Sequence, residues 1–165
     1  MLRLYLDADA CPVKTEAYRV AARFAIPVFV VTSQTMRDPG IDGVTLVIVP
    51  NGPDIADDWI AAEIDAGDLC VSDDIPLADR CVRKGAYVLT ARGRLLHREN
   101  IGELLATRDL LERLRNEQLI SQGQGGGPPP FTKRDRSRFL ESLDQAVRKI
   151  KSTAAELRPP TNPTE

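Results

Sequence analysis

The stretch LYLDADACP, residues 4–12, begins as an apolar run and ends in two carboxylates, a cysteine and a proline. Leu4 and Leu6, with Tyr5 between them, suit a short strand buried on both faces, as strands of a parallel sheet are. Acid has no place inside such a strand. Asp7 and Asp9 therefore mark its carboxyl end, where open α/β sheets keep their ligand crevice. Pro12 suits the first turn of a helix on which Ala17, Val20, Ala21 and Phe24 recur at helical spacing. The alternation then repeats. Apolar runs predict strands over 28–32, 45–49, 69–72 and 86–90. Ile55, Trp59, Ile60 and Ile64 mark one intervening helix, which Asp54 is placed to cap after the breakers PNGP; Leu77, Ala78, Cys81 and Val82 mark another. The pattern specifies an α/β fold, a parallel sheet with helices on both faces and right-handed crossovers.

Beyond the sheet, Asn100 and Glu103 have the spacing of a capping box, opening a helix with Leu104, Leu105, Leu111 and Leu114 that is expected to pack against the domain. The chain divides into an α/β domain with this packing helix over 1–120, a Gly/Pro-rich linker over 121–131, a basic helix over 132–156 and a disordered tail over 157–165. Thr132 and Asp135 start the last helix, and Phe139, Leu143, Ala146 and Ile150 form its apolar stripe. The glycine run of the linker follows no strand and precedes no GK[ST], so it is not a phosphate cradle.

Of the 165 residues 42% are hydrophobic, and the net charge of -2 supplies no global case for nucleic-acid binding. The positive charge is local, on Lys133, Arg134, Arg136, Arg138, Arg148, Lys149 and Lys151. No apolar run reaches the roughly 18 residues of a membrane span, and Met1 leads directly into a strand, so a cytoplasmic protein is expected. Cys11, Cys70 and Cys81 show no CxxC spacing and are read as reduced and partly buried.

On a parallel sheet the acids after the first, third and fourth strands share one edge: Asp7 and Asp9, then Asp54, Asp57 and Asp58, then Asp73 and Asp74. Crowded carboxylates raise one another's pKa, and a divalent cation removes the conflict. Oxygen donors without His or Cys favour magnesium or manganese. Two such ions about 4 Å apart activate water and stabilise the leaving oxygen in phosphodiester hydrolysis. Asp54 or Asp74 alone is equally well explained as a helix cap; the clustering after three strands is what points to metal. Arg92 and Arg94, after the fifth strand, are placed to grip a phosphate, and Lys133, Arg134 and Arg136 to follow a nucleic-acid backbone. His97 is the only histidine and no G-x-S-x-G accompanies it, which leaves no triad. Cys11 reads as a small buried residue of a first helical turn.

DADACPVK, GPDIADDWI, VSDDIPLADRCVRKGA, RGRLLHRENI and GGPPPFTKRDRSRF together resemble the YaiI/YqxD family of uncharacterised bacterial proteins, from Leu4 to about Val147. The core is also similar to PIN-type nuclease domains, whose hallmarks are an aspartate ending the first strand, an acid on a middle helix and T-x-D-x-x-L after the fourth strand. That resemblance implies a PIN-like sheet, a metal-dependent ribonuclease activity and Mg2+ or Mn2+ as cofactor. It places Asp7, Asp57 and Asp74 as metal-holding catalytic residues and Asp9 and Asp54 in the surrounding shell. Ser72 stands where the hallmark has threonine, and the middle acid is open among Asp54, Asp57 and Asp58. Two other functions fit the residues. A haloacid-dehalogenase-like phosphatase would use Asp7 as nucleophile and Asp9 as acid, with Thr32 and the pair Asp73 and Asp74 as later motifs, although Cys11 departs from its signature. A non-catalytic nucleic-acid-binding protein would keep the fold and work through the basic helix.

Overall fold

The computed structural model describes residues 1–119 and 129–158; the expected linker, apart from its last three residues, and the tail beyond 158 lie outside the described residues. Five strands, β1 (Leu4–Asp7), β2 (Val28–Thr32), β3 (Val44–Ile48), β4 (Leu69–Val71) and β5 (Tyr87–Leu89), are parallel. A short β6 (Leu95–Leu96), which the sequence pattern does not announce, turns back antiparallel to β5. The sheet order is β3-β2-β1-β4-β5-β6, so the connection reverses direction between β1 and β4. Crevices for ligands open at such a reversal, at the carboxyl ends of the strands.

Side chains of β1 alternate between two cores, as period-2 geometry requires. Leu4 and Leu6 join Val28, Val30, Val71 and Leu89 under α1 (Lys14–Arg23) and the last helix, α5 (Lys133–Glu156). Tyr5 faces the other way, with Val31, Cys70 and Val88 under α2 (Ile55–Glu63) and α3 (Ile75–Arg83). The stripe Phe139, Leu143, Ala146 and Ile150 is buried as its spacing predicts, which makes α5 half of one covering layer. Its start is a complete capping box: the Thr132 hydroxyl accepts the Asp135 amide, and the Asp135 carboxylate accepts the Thr132 amide at 2.9 Å.

Three local expectations need correction. Pro12 precedes the helix: a 3-10 turn over Ala8–Ala10 follows β1, and α1 starts at Lys14. Asp54 occupies the cap position of α2 in a left-handed conformation (φ 61°) that an aspartate tolerates, but its side chain makes no capping bond. Asn100 does not cap α4 (Ile101–Asn116) by side chain either; its Oδ1 accepts the His97 amide instead. As expected, α4 packs against the domain, on α3. Only Ile101 is fully buried, Leu104 also touches the core, and Leu110 and Leu111 remain 46% and 37% exposed.

Candidate functional site

The carboxyl edge at the β1–β4 reversal holds a cavity of about 250 Å3 lined by Asp7, Cys11, Val71, Ser72, Asp73, Asp74 and Ala91. Asp7 ends β1 half-buried, and its Oδ2 accepts a hydrogen bond from the Ser72 hydroxyl at 3.0 Å. The same hydroxyl accepts the Asp74 amide, so one serine side chain fixes both acids. Asp74 caps α3, its Oδ1 accepting the Leu77 amide at 2.9 Å, which leaves Oδ2 for a ligand. Asp73 accepts the Ala91 amide and ties the end of β4 to the end of β5.

Across the edge, α2 supplies Asp57. Its carboxyl is pushed up to about 6, first by burial and then by Asp74, Asp7 and Asp54, with Arg80 opposing. Burial likewise raises the Asp7 carboxyl; the Ser72 hydrogen bond opposes this, and Asp9, Asp74 and Asp73 add to it. Asp7, Asp57 and Asp74 thus come from three separate elements into mutual repulsion. Asp58, one residue from Asp57, is exposed and pairs with Arg80 at 2.7 Å, which removes it from this group.

Asp9 is engaged elsewhere. Its oxygens accept the Thr32 hydroxyl at 2.6 Å and the Ser33 amide and hydroxyl. Burial would raise its pKa, but these hydrogen bonds outweigh it and hold the carboxyl below the usual range. Asp9 therefore braces the turn after β1 against the end of β2. Cys11 is half-buried and lines the cavity, outside any helical turn, and burial raises its thiol. Cys70 and Cys81 are free and buried. His97 shapes the turn before α4, its Nδ1 accepting the Glu99 amide.

Arg92 does not reach into the cavity as a phosphate grip. Its guanidinium donates to Asp135 at 3.2 Å and to the Pro129 carbonyl, and lies over the Phe131 ring. Arg136 stacks on the same ring and donates to the Pro12 carbonyl. The two arginines thereby clamp the start of α5 beside Ala91 and the cavity. Gly93 permits the fit: with φ +89°, a Cβ there would stand 2.7 Å from Ser142 Oγ and 3.1 Å from the Arg138 carbonyl. Arg94, Lys133 and Arg134 stay exposed.

The donor set is oxygen-rich and carries uncompensated negative charge, which fits a hard divalent cation. Among the described residues, no three His, Cys, Asp or Glu side chains are already drawn together as a ligand cage. The fit accordingly lies in donor type and charge.

The family model described as "Uncharacterized BCR, YaiI/YqxD family" matches residues 5–149. The chain belongs to this family. It is 47% identical over 151 residues to a UPF0178 protein of Paramagnetospirillum magneticum, covering 92% of this chain and 97% of that protein. It is 49% identical over 150 residues to a UPF0178 protein of Azorhizobium caulinodans, covering 91% and 92%. A UPF0178 protein of Gluconacetobacter diazotrophicus is 47% identical over 158 residues, 96% of this chain and all of that one. No solved structure matches the chain. None of these family or protein descriptions states an activity, so function rests on the edge itself. No helix among the described residues is long and apolar enough to cross a membrane.

The charge at Asp57 has a measurable consequence. Its folded pKa lies above the unfolded value, so the folded state holds the proton more tightly and stability falls as pH rises from about 4 through about 6. Asp57→Asn is expected to remove that slope and to stabilise the metal-free protein at pH 7. Because the group is only partly buried, screening by solvent limits the gain to about 1 kcal/mol. Urea melts of both proteins at pH 4.5 and pH 7 check it; an unchanged slope in the variant would show that Asp57 is not the crowded acid.

Proposed function

We propose that this protein is a divalent-cation-dependent nuclease with a PIN-like core, hydrolysing RNA phosphodiesters at the β1–β4 edge. The observation that carries the reading is the convergence of Asp7, Asp57 and Asp74, from a strand end, a helix and a helix cap. Three acids so placed cost stability in an apo protein, and the cost is relieved when a cation binds. The Ser72 hydroxyl, in the position of the PIN hallmark threonine, holds Asp7 in orientation. A bound magnesium or manganese ion would supply a Lewis acid for the phosphodiester and acidify an attacking water. Asp7, Asp57 and Asp74 are the residues that would hold it; Asp9 and Asp54 shape their surroundings. Arg94, Lys133 and Arg134 are the exposed cations that a polyanion would meet, whereas Arg92 and Arg136 position that basic segment. RNA as the substrate follows from the resemblance to PIN-type nucleases.

The phosphatase reading requires Asp9 as a free acid beside a nucleophilic Asp7, and Asp9 is committed to Thr32 and Ser33. The test incubates the purified protein with a 5′-labelled unstructured RNA and manganese, magnesium or chelator. Manganese-dependent cleavage and a cation-induced rise in melting temperature are expected, the latter because a ligand of the folded state stabilises it by mass action. Mass spectrometry after incubation with a phosphomonoester serves as the counter-test. A phosphorylated Asp7 without RNA cleavage would replace the nuclease by the phosphatase, and RNA binding without cleavage or thermal shift would leave a binding protein.

A further inference from the structure

The sheet ends at β3 in an open edge: among the described residues, β2 is its only neighbour in the sheet. Along such a strand, alternate residues turn their backbone groups to opposite sides, one set to the neighbour and one set outward. The Val28 amide donates to the Gly43 carbonyl and the Val49 amide to the Thr32 carbonyl, both at 2.9 Å, so the odd-numbered residues of this stretch face β2. Val44, Leu46 and Ile48 therefore aim their N–H and C=O groups outward. The Val44 amide is taken by the Ile41 carbonyl, which leaves the amides of Leu46 and Ile48 open. Natural edges are protected against pairing by a lysine, a proline or an inward charge. The strand VTLVI carries none of these, and Ile48 stands 58% exposed.

The open groups and the side chains beside them indicate what pairs with this edge. An edge strand is complementary to a second copy of itself when the two run antiparallel about a two-fold axis, because each then meets the other's outward N–H and C=O groups. Two registers satisfy the amides of Leu46 and Ile48. One sets Leu46 opposite Ile48 of the second copy; the other sets Leu46 opposite Leu46 and Ile48 opposite Val44. Only the latter gives the isoleucine a seat. Val44, Leu46 and Ile48 point to the α1 face of the sheet, where Val44 and Leu46 pack against the core. On that face a cavity of about 420 Å3 lies between α1 and the start of β3, with Tyr18, Ala22, Ile26, Ile41 and Val44 in its lining. Directly opposite Val44, the exposed Ile48 of the second copy stands at this cavity, and by symmetry each copy fills the other's. We propose that this protein forms a two-fold dimer by antiparallel pairing of β3 with β3 of a second copy, Ile48 of each copy seated at the cavity beside Val44 of the other. The joined sheet has six strands from each copy, and its two carboxyl edges point in opposite directions, so each group of acids stays whole.

A contact of one five-residue strand from each copy is small, so a dissociation constant of about 10–100 µM is expected. Sedimentation velocity of the full chain across a dilution series should show a reversible monomer–dimer equilibrium. Ile48→Lys gives the edge the charge that natural edges carry, and should weaken association at least tenfold. Because Ile48 is exposed, the melting temperature of that variant at dilution should stay that of the parent. The arrangement is read from cysteines placed in a Cys11→Ser background, Cys70 and Cys81 being buried. Opposed Cα atoms of such a hydrogen-bonded pair lie about 5.5 Å apart, within reach of a disulfide. Oxidation of mixed chains should therefore link Val44→Cys to Ile48→Cys, and neither variant to itself. Ile48→Cys linked to itself, or a dimer in which the mixed pair resists linking, would overturn the arrangement. Association unchanged by Ile48→Lys would overturn the dimer itself. So would a chain that stays monomeric at high concentration, which would leave the edge to a strand of another protein.

Discussion

Asp74→Asn is expected to lower manganese-dependent RNA cleavage by about 10²-fold or more, equivalent to about 2.7 kcal/mol of lost transition-state stabilisation, without unfolding the protein. Asparagine is as good an N-cap as aspartate, so the bond to the Leu77 amide and the start of α3 survive the change. What disappears is one negative charge acting on Asp7 and Asp57. The metal-free variant should therefore melt at the same temperature as the parent or slightly higher, and its thermal response to manganese should shrink. Cleavage and melting curves measured on one preparation separate the two effects. A variant that cleaves like the parent would remove Asp74 from the site; one that melts lower without metal would make its role structural.

Phe139→Ala should cost about 3–5 kcal/mol, the largest stability loss expected from a single side chain here. Phe139 is fully buried between α5 and the sheet, in the cluster that contains Leu4, Leu6 and Val71. The truncation leaves a cavity under a helix whose other anchors, Leu143 and Ile150, cannot close it without shifting along the sheet. Denaturant unfolding followed by the single tryptophan, Trp59 on the opposite layer, checks it. Loss of the Trp59 transition together with far-UV circular dichroism is the expected result, because the two layers share one sheet. A separate early transition for α5 would show that the last helix folds as its own unit.

The central strands are legible in the sequence because they are unbroken apolar runs, and the acids because they interrupt those runs at the same end. The apolar stripe of α5 is equally plain. Elsewhere the signals are local and their meaning is not. The leucines of α4 report an apolar side but not whether the domain covers it. Asp54 stands where a cap belongs, yet in its left-handed backbone the side chain bonds none of the helix amides. The choice between Asp57 and Asp58 has a readable clue: Asp57 lies three and four positions from Ile60 and Ala61, both buried, whereas the residue four beyond Asp58 is the exposed Ala62. Asp9 and Arg92 are harder, because their partners, Thr32 and Asp135, are distant in sequence and only the folded sheet brings them near.

Because α5 covers one side of the sheet, the order of synthesis matters. A ribosome delivers this helix after every strand of the sheet, and translation from Leu96 to Ile150 takes about 3–11 s at ~5–20 residues per second. Throughout that interval β1, β2 and β4 can pair, but the layer formed by Leu4, Leu6 and Val71 has only α1 over it. The nascent chain therefore carries an open apolar surface until α5 emerges, and a transcript cut short before α5 would yield a product for chaperones and proteases.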